Sequence, residues 1–532
     1  MDVLRTVSTR ATPQSEPADD RQIPNAAGGH GFALDEAARV RRFLTLGTDG
    51  GTYYATAREL TAQNASVVLT AARERASWLV EEVVTISTAG RAPRQNPAVL
   101  ALAAATALGD DAGRRAALDA LPTVCRTGTH LFLFARYVEQ FRGWGRGLRR
   151  AVGRWYTAPG VDDVAFQAVK YRQREGWTHR DLLRLAHPAV SEPARRALFR
   201  WIVTGELADD APAVVHGFAA AQLATTPAAW TRLVAEHRLS WEMLPDAALR
   251  EPDVWRALLA GGLPPTALMR QLPRLTRLGV LTGETRRSVA AQLADPARLR
   301  RGRVHPMAVL LALRTYASGR GLRGSGQWTP VREIVDALDA AFYAAFGAVE
   351  PAGKRTLVAL DVSGSMGWGS VGGLPLTPRE ASAALALVTM ATEPDVTCVG
   401  FTSADGSWRA ALRELAIGPR QRLDDAVRAV ADLPFGGTDC SLPMTWAAEQ
   451  GREVDTFVVV TDNETWAGAI HPHQALVRYR ERSGIPARLV VVGMTANDVS
   501  VADPADPGML DVAGFDAAAP GLVADFSRGE LG

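Results

Sequence analysis

The sequence predicts a multidomain chain: an all-helical part followed by a doubly wound α/β part. Three observations predict it. At 532 residues the chain is too long for one hydrophobic core. From about residue 35 to 345, apolar residues recur at three and four, and alternating β-branched runs are scarce. From residue 356 onward, short apolar runs alternate with helical periodicity, the pattern of a parallel sheet covered by helices on both faces. The boundaries read as a disordered tail over 1–30, a helical domain over 31–350 and an α/β domain over 351–532.

Residues 1–30 hold few apolar side chains and much Ala, Pro, Gly and Asp, hence the expectation of disorder. The stretch has no signal-peptide core, and no apolar run reaches the ~18 residues that span a bilayer. The three cysteines, Cys125, Cys398 and Cys440, are too sparse for a disulfide framework. A cytoplasmic protein without membrane contact is the expectation. In the helical domain, Leu131, Phe134, Val138 and Phe141 form one apolar stripe. The breaks between such stripes are short and carry Pro or Gly, as at Ala158-Pro-Gly160 and Leu263-Pro-Pro265. Many helices with short links suggest stacked antiparallel pairs, an α-solenoid, although no clean repeat is visible.

A net charge of +2 hides a division. Residues 351–532 hold 14 Lys and Arg against 23 Asp and Glu, and the rest of the chain holds 45 against 34. The basic excess concentrates in residues 126–200, with 15 Lys and Arg against 6 Asp and Glu. A basic stretch of this kind points to a polyanion, most often a nucleic acid. A solvated basic face in an arginine-rich chain would carry the same charge, since only Lys170 and Lys354 are lysines.

Within that stretch, Arg126 and His130 open it and Arg136 follows. Glycines beside Trp144 break any helix and leave Arg142, Arg146, Arg149 and Arg150 free to reach phosphates. A helix is expected over Val161–Glu175, ended by Gly176, with Lys170 and Arg174 projecting together at a four-residue step and Arg172 between them. Thr178 and Asp181 read as the capping box of the next helix, with Trp177 and Leu182 as its hydrophobic staple. Its N-terminus, with His179 and Arg180, suits a phosphate, and His187-Pro188 closes it. Arg320 and Arg323, flanked by glycines near the domain junction, are further phosphate candidates.

In the α/β domain, strands are expected at Leu357–Leu360, Val396–Phe401, Phe457–Val460 and Arg488–Val492, and helices at 378–392, 421–433, 441–451 and 472–483. The first strand runs into Asp361-x-Ser363-x-Ser365. Thr438 follows a Gly-Gly turn, and the third strand runs into Asp462. Two carboxylates and three hydroxyls make an oxygen-only set suited to one divalent cation: Mg²⁺, with Mn²⁺ or Ca²⁺ as alternatives. The set resembles the metal-ion-dependent adhesion site of von Willebrand factor A domains, and all five elements are present.

Several longer motifs resemble the Ro autoantigen family, the TROVE-domain proteins. They are Arg126-Thr-Gly-Thr-His130, Arg142-Gly-Trp-Gly145, Lys170-Tyr-Arg-Gln-Arg174, Gly176-Trp-Thr-His179, Gly319-Arg-Gly-Leu-Arg-Gly324, Phe435-Gly-Gly-Thr-Asp-Cys440 and Thr461-Asp-Asn-Glu-Thr-Trp466. The resemblance runs from about residue 30 to the end. It implies a ring of HEAT-like helical repeats closed by a von Willebrand A domain. It further implies binding of small noncoding Y RNA on a basic outer face and of single-stranded RNA ends in a central hole. RNA quality control or stress response, a link to exoribonucleases and a monomeric ring belong to the same expectation. Lys170, Arg174 and His187 match positions of RNA contact in the family. Where the family commonly has His or Lys, this chain often has Arg, which keeps phosphate contact but alters base-edge geometry.

The reading is an RNA-binding scaffold and not an enzyme. Two rivals remain. One is a protein-interaction solenoid whose A domain takes an acidic partner group through the cation. The other is a metal-dependent nuclease drawing on the nearby Asp439.

Overall fold

The computed structural model describes residues 11–530 apart from 26, 47–65, 91–93, 142, 303, 305, 322–325, 346–349, 368–375, 404–410, 420, 432–436, 495–498 and 515–518. The described chain starts with two short antiparallel strands, β1 (Gln22–Pro24) and β2 (His30–Ala33). Helices then follow one another from Glu36–Leu46 to Arg332–Ala344. Prolines sit in the first turn of many, as at Pro193, Pro227, Pro252, Pro265 and Pro296, where the missing N–H costs no hydrogen bond. Asp110 caps the helix Asp111–Val124, and Thr226 the helix that Pro227 begins, each through a side-chain oxygen.

Successive helices pack on one another, and so do helices two apart, as 76–89 with 111–124. The helix Asn96–Leu108 is enclosed by its neighbours at 76–89, 111–124 and 128–141, which is why it is Ala- and Leu-rich all round. Among the described residues, no helix is long and apolar enough to cross a membrane.

One element interrupts the helical array. The helix expected over 161–175 ends at Lys170. Beyond it β3 (Gln173–Arg174) pairs antiparallel with β4 (Trp177–Thr178). Glu175 and Gly176 make the tight turn with φ of 54° and 81°, the left-handed pair that a two-residue hairpin requires. Gly176 therefore turns a hairpin and does not end a helix. Arg174 is carried on a strand, away from the helical face of Lys170.

The α/β domain is a six-stranded sheet in the order β11-β9-β8-β5-β6-β7. Here β5 is Thr356–Asp361, β6 Val396–Phe401, β7 Leu412–Glu414, β8 Thr456–Thr461, β9 Arg488–Gly493 and β11 Met509–Ala513. All neighbours are parallel except β7, which runs antiparallel to β6. The four expected strands are present. The two edge strands escaped expectation because their sequences, Leu-Arg-Glu and Met-Leu-Asp-Val-Ala, carry the charges that protect an edge. The helix Ala519–Arg528 was also not foreseen.

The α/β domain closes the helical array into a ring. At one end, Arg314 pairs with Glu380 at 3.2 Å and with Asp424 at 2.8 Å, and the Tyr343 hydroxyl donates to the Gln421 carbonyl at 3.1 Å. At the other end, Arg42, only 1% exposed, pairs with Asp511 on β11 at 2.7 Å. A two-residue strand, β10 (Val499–Ser500), adds antiparallel to β2. The described part of the N-terminal segment is thus ordered against the α/β domain, contrary to the expectation of disorder over 1–30. Few of its side chains are apolar, but its polar ones find buried partners more than 400 residues away.

Candidate metal centre and nucleic-acid interface

The strand order places β5 beside β8, and the chain leaves β5 toward one side of the sheet and returns on the other. Such a switch point opens a crevice at the carboxyl ends of the two strands. Asp361 ends β5 there and Asp462 follows β8. Asp361 is fully buried. One of its oxygens accepts from the Ser363 N–H at 2.8 Å and the other from the Thr461 hydroxyl at 2.7 Å. The Ser363 and Ser365 hydroxyls lie 3.0 Å apart, and Ser365 in turn bonds Asp462. Thr438 is buried, and its carbonyl accepts from the N–H groups of Trp466 and Ala467 at 3.0 and 3.1 Å. That ties its loop to the one following Asp462.

Burial, then the charge of Asp462, pushes the Asp361 carboxyl up to about 7, and burial raises Asp462 as well. Two desolvated carboxylates held side by side with hydroxyls fit a cation, which would supply the missing positive charge. Arg379, whose guanidinium donates to the Ser363 carbonyl at 3.3 Å, is itself held down by burial. Asp439 does not join this set. One of its oxygens takes bonds from Gln14 Nε2, the Ser441 N–H and the Ser441 hydroxyl. The nuclease rival thereby loses its third carboxylate. Cys440 is a buried thiol held far from ionisation by desolvation.

The basic segment divides into committed and available cations. The Lys170 side chain is only 11% exposed. Its ammonium lies over the Phe166 and Tyr171 rings and 3.7 Å from Glu242, fastening its helix to the turn at Trp241–Met243. His179 is buried against Phe132 and Trp155, with Nδ1 2.7 Å from the Tyr156 hydroxyl, and burial lowers its pKa to about 4. His130 is likewise driven down to about 4 by burial. The buried, contact-filled ring of His179 has no surface to offer RNA, contrary to expectation, whereas His130 is half-buried.

The capping box of Thr178 and Asp181 is present as expected. It puts a carboxylate at the helix end where a phosphate was expected, so that site is already filled. Arg126 and Arg136 are exposed but engaged: Arg126 donates to Ser87, the Thr123 carbonyl and Gln95, and Arg136 pairs with Glu175. Arg142 and Arg323 lie outside the described residues.

The remaining candidates are exposed as well. Arg149 and Arg150 stand on the regular helix Arg146–Thr157, which begins directly after Gly145, so the expected mobile glycine-flanked arginines are helical. Arg174 projects from the hairpin, and Arg180, His187 and Arg320 are exposed too. His187 adopts φ 43° at the helix C-terminus. Arg172 is exposed with its guanidinium 5.2 Å from the Phe218 ring centre. Half-buried Trp144 and Trp177 meet at 5.5 Å beside the hairpin. Elsewhere on the helical part, Arg250, Arg274 and Arg277 surround a concavity of about 390 Å³ with Leu249, Leu278 and Asp246. Sequence reasoning missed it because two distant helical segments build it. It also missed the hairpin, whose signal was Glu175-Gly176 between Gln173-Arg174 and Trp177-Thr178.

Comparison with known proteins agrees with this architecture. The TROVE domain family matches residues 23–211 and 207–354, and the Ro60 vWA domain family matches 355–527. The RNA-binding protein RO60 of Deinococcus radiodurans is 45% identical over 539 residues, covering 99% of each chain. The RNA-binding protein RO60 of Caenorhabditis elegans is 35% identical, covering 98% of this chain and 92% of the relative. The crystal structure of the Deinococcus radiodurans RO (RSR) protein matches with a TM-score of 0.73 and 44% identity, covering 93% of this chain and 100% of that one. A helical ring matched along its length by one family, closed by a sheet domain matched by its companion, makes this chain a member of the Ro family of TROVE-domain proteins.

Proposed function

We propose that this chain is a Ro-type RNA-binding scaffold. The observation that carries the reading is the set of exposed guanidiniums at Arg149, Arg150, Arg174 and Arg180, in a family whose relatives are named for RNA binding. Arginines contact phosphates, and aromatic rings such as Trp144 and Trp177 stack on unpaired bases. A small noncoding RNA of the Y RNA kind lies across this face. Single-stranded ends of misfolded RNA enter the ring, where duplex is too wide to follow, and the Arg250–Arg274–Arg277 concavity offers them further phosphate contact. Noncoding-RNA quality control or stress response is the role this suits, with an exoribonuclease as the partner that acts on the captured end. The chain works as a monomeric ring in the cytoplasm, a setting in which its three buried free thiols stay reduced.

In the same proposal, Asp361, Ser363, Ser365, Thr438 and Asp462 hold one divalent cation, Mg²⁺ ahead of Mn²⁺ or Ca²⁺, which can take an acidic group of a partner as a further ligand. The net acidic composition of residues 351–532 makes RNA a poor ligand for that centre.

The test is to purify the protein from its own cells at low salt and sequence the RNA that accompanies it. One abundant structured RNA supports the Y-RNA-like reading, and a mixture with single-stranded 3′ ends supports capture of damaged RNA. Recovery of no RNA overturns the scaffold reading. A second test separates committed from available cations. Lys170→Met is expected to cost about 1–2 kcal/mol of stability through the lost ring and Glu242 contacts, while the dependence of RNA affinity on salt stays as in the wild type. A salt slope reduced by about one would instead place Lys170 on a phosphate.

A further inference from the structure

We propose that Gln14 is a positioning residue of the metal centre, and that the strap Thr12–Ala33 couples cation binding to closure of the ring. The inference rests on the cation reading of Asp361, Ser363, Ser365, Thr438 and Asp462 given above.

The strap crosses from the first helix to the α/β domain and lies on the two loops that carry Thr438 and Asp462. Gln14 is fully buried between them. Its amide nitrogen donates to Asp439 at 2.7 Å and to the Ile470 carbonyl at 2.8 Å. Its amide oxygen accepts from the Thr465 hydroxyl at 2.5 Å, and its backbone N–H donates to the Gly468 carbonyl at 2.9 Å. The same Thr465 hydroxyl accepts from the Cys440 N–H at 3.1 Å. One side chain therefore fixes the residue next to Thr438 and the residue three beyond Asp462.

The rest of the strap repeats the pattern. Asn25 donates to the Thr465 carbonyl at 2.7 Å, and the Ala27 N–H donates to Glu464 at 3.0 Å. Gly29 lies so close on the loop that a Cβ there would fall 2.0 Å from the Thr465 carbonyl oxygen. The Thr12 N–H donates to Gln474 at 3.1 Å, and the His471 Nε2 lies 2.8 Å from the Glu16 carbonyl.

A hard cation with near-octahedral demands requires ligands set to within tenths of an ångström. Thr438 and Asp462 sit on separate loops, and their spacing is set by what bridges those loops. The bridges come from each other, through the Thr438 carbonyl, and from the strap. Removing the Gln14 amide leaves the Asp439 carboxylate buried with fewer donors and frees Thr465 to shift. Because coupling between binding events is reciprocal, a cation that draws the loops together also holds the strap down. Docking of the strap in turn joins the start of the helical array to the sheet domain, so the cation stabilises the closed ring.

The experiment is Mn²⁺ titration of the full chain, following the free-ion signal by electron paramagnetic resonance, for wild type, Gln14→Ala and Asn25→Ala. Hydrogen exchange of residues 12–33 is measured with and without Mn²⁺ in wild type and Asp361→Asn. The expected result is one Mn²⁺ bound by wild type, at least tenfold weaker binding in Gln14→Ala and a smaller loss in Asn25→Ala. Strap exchange should slow with Mn²⁺ in wild type and not respond in Asp361→Asn. Equal Mn²⁺ affinity in wild type and Gln14→Ala, or strap exchange indifferent to Mn²⁺, overturns the coupling while leaving the cation site standing. Absence of Mn²⁺ binding by wild type overturns both. If Gln14→Ala does not fold, the exchange comparison in wild type and the Asn25→Ala titration decide.

Discussion

Replacing Arg149, Arg150 and Arg174 together by alanine is expected to lower affinity for structured RNA by about two orders of magnitude at 0.15 M salt. Each phosphate contact releases roughly one counterion, which at that salt is worth about fivefold in affinity. Three contacts multiply to about a hundredfold, and the slope of log affinity against log salt should fall by about two to three. The structure favours these three because they are exposed and lie on a regular helix and a hairpin, so replacing them removes no packing. Filter binding or anisotropy over a salt series reads both quantities, and an unchanged thermal midpoint shows that the fold is intact. An affinity loss with the original salt slope would mean that the arginines act on RNA other than through its phosphates. No loss would move the interface elsewhere on the ring.

Asp361→Asn is expected to abolish cation-dependent stabilisation and to change how stability varies with pH. The metal-free carboxyl titrates near 3.8 unfolded and about 7 folded. The folded state therefore holds its proton where the unfolded state has lost it. The stability this contributes is fully present below about pH 4 and is lost progressively as pH rises to about 7. His130, His179 and His473, each lowered to about 4 by burial, act in the opposite sense, destabilising the fold as pH falls from 6.5 toward 4. The difference between wild type and Asp361→Asn cancels them.

In chelator, wild type should lose stability relative to Asp361→Asn on going from pH 5 to pH 7.5. With millimolar Mg²⁺ the wild type should recover, because the cation favours the ionised carboxylate, and Asp361→Asn should not respond. Thermal unfolding across that grid is the measurement. A wild type indifferent to Mg²⁺ at every pH would remove the cation from the proposal. RNA affinity should stay within about twofold in Asp361→Asn, as the centre sits in the acidic domain, away from the arginine face.

Much of this protein was legible in the sequence wherever a feature is local. The strands β5, β6, β8 and β9 announce themselves as apolar runs, since a strand buried on both faces has no polar side to show. Asp361, Ser363 and Ser365 follow their strand within one turn, so spacing alone puts them together. The box of Thr178 and Asp181 spans four residues and forms as read.

Tertiary structure decided everything that depends on what a residue meets from far away. Lys170 and His179 look like their exposed neighbours in sequence, yet Glu242 meets the first, and Phe132, Trp155 and Tyr156 enclose the second. Composition marked residues 1–30 as disordered, but Gln14 and Asn25 gain buried hydrogen-bond partners that only the far end of the chain supplies. Periodicity and spacing report a residue's own neighbourhood. Burial and pairing between segments hundreds of residues apart belong to the closed ring, and they separate the arginines that face solvent from the cations that hold the ring together.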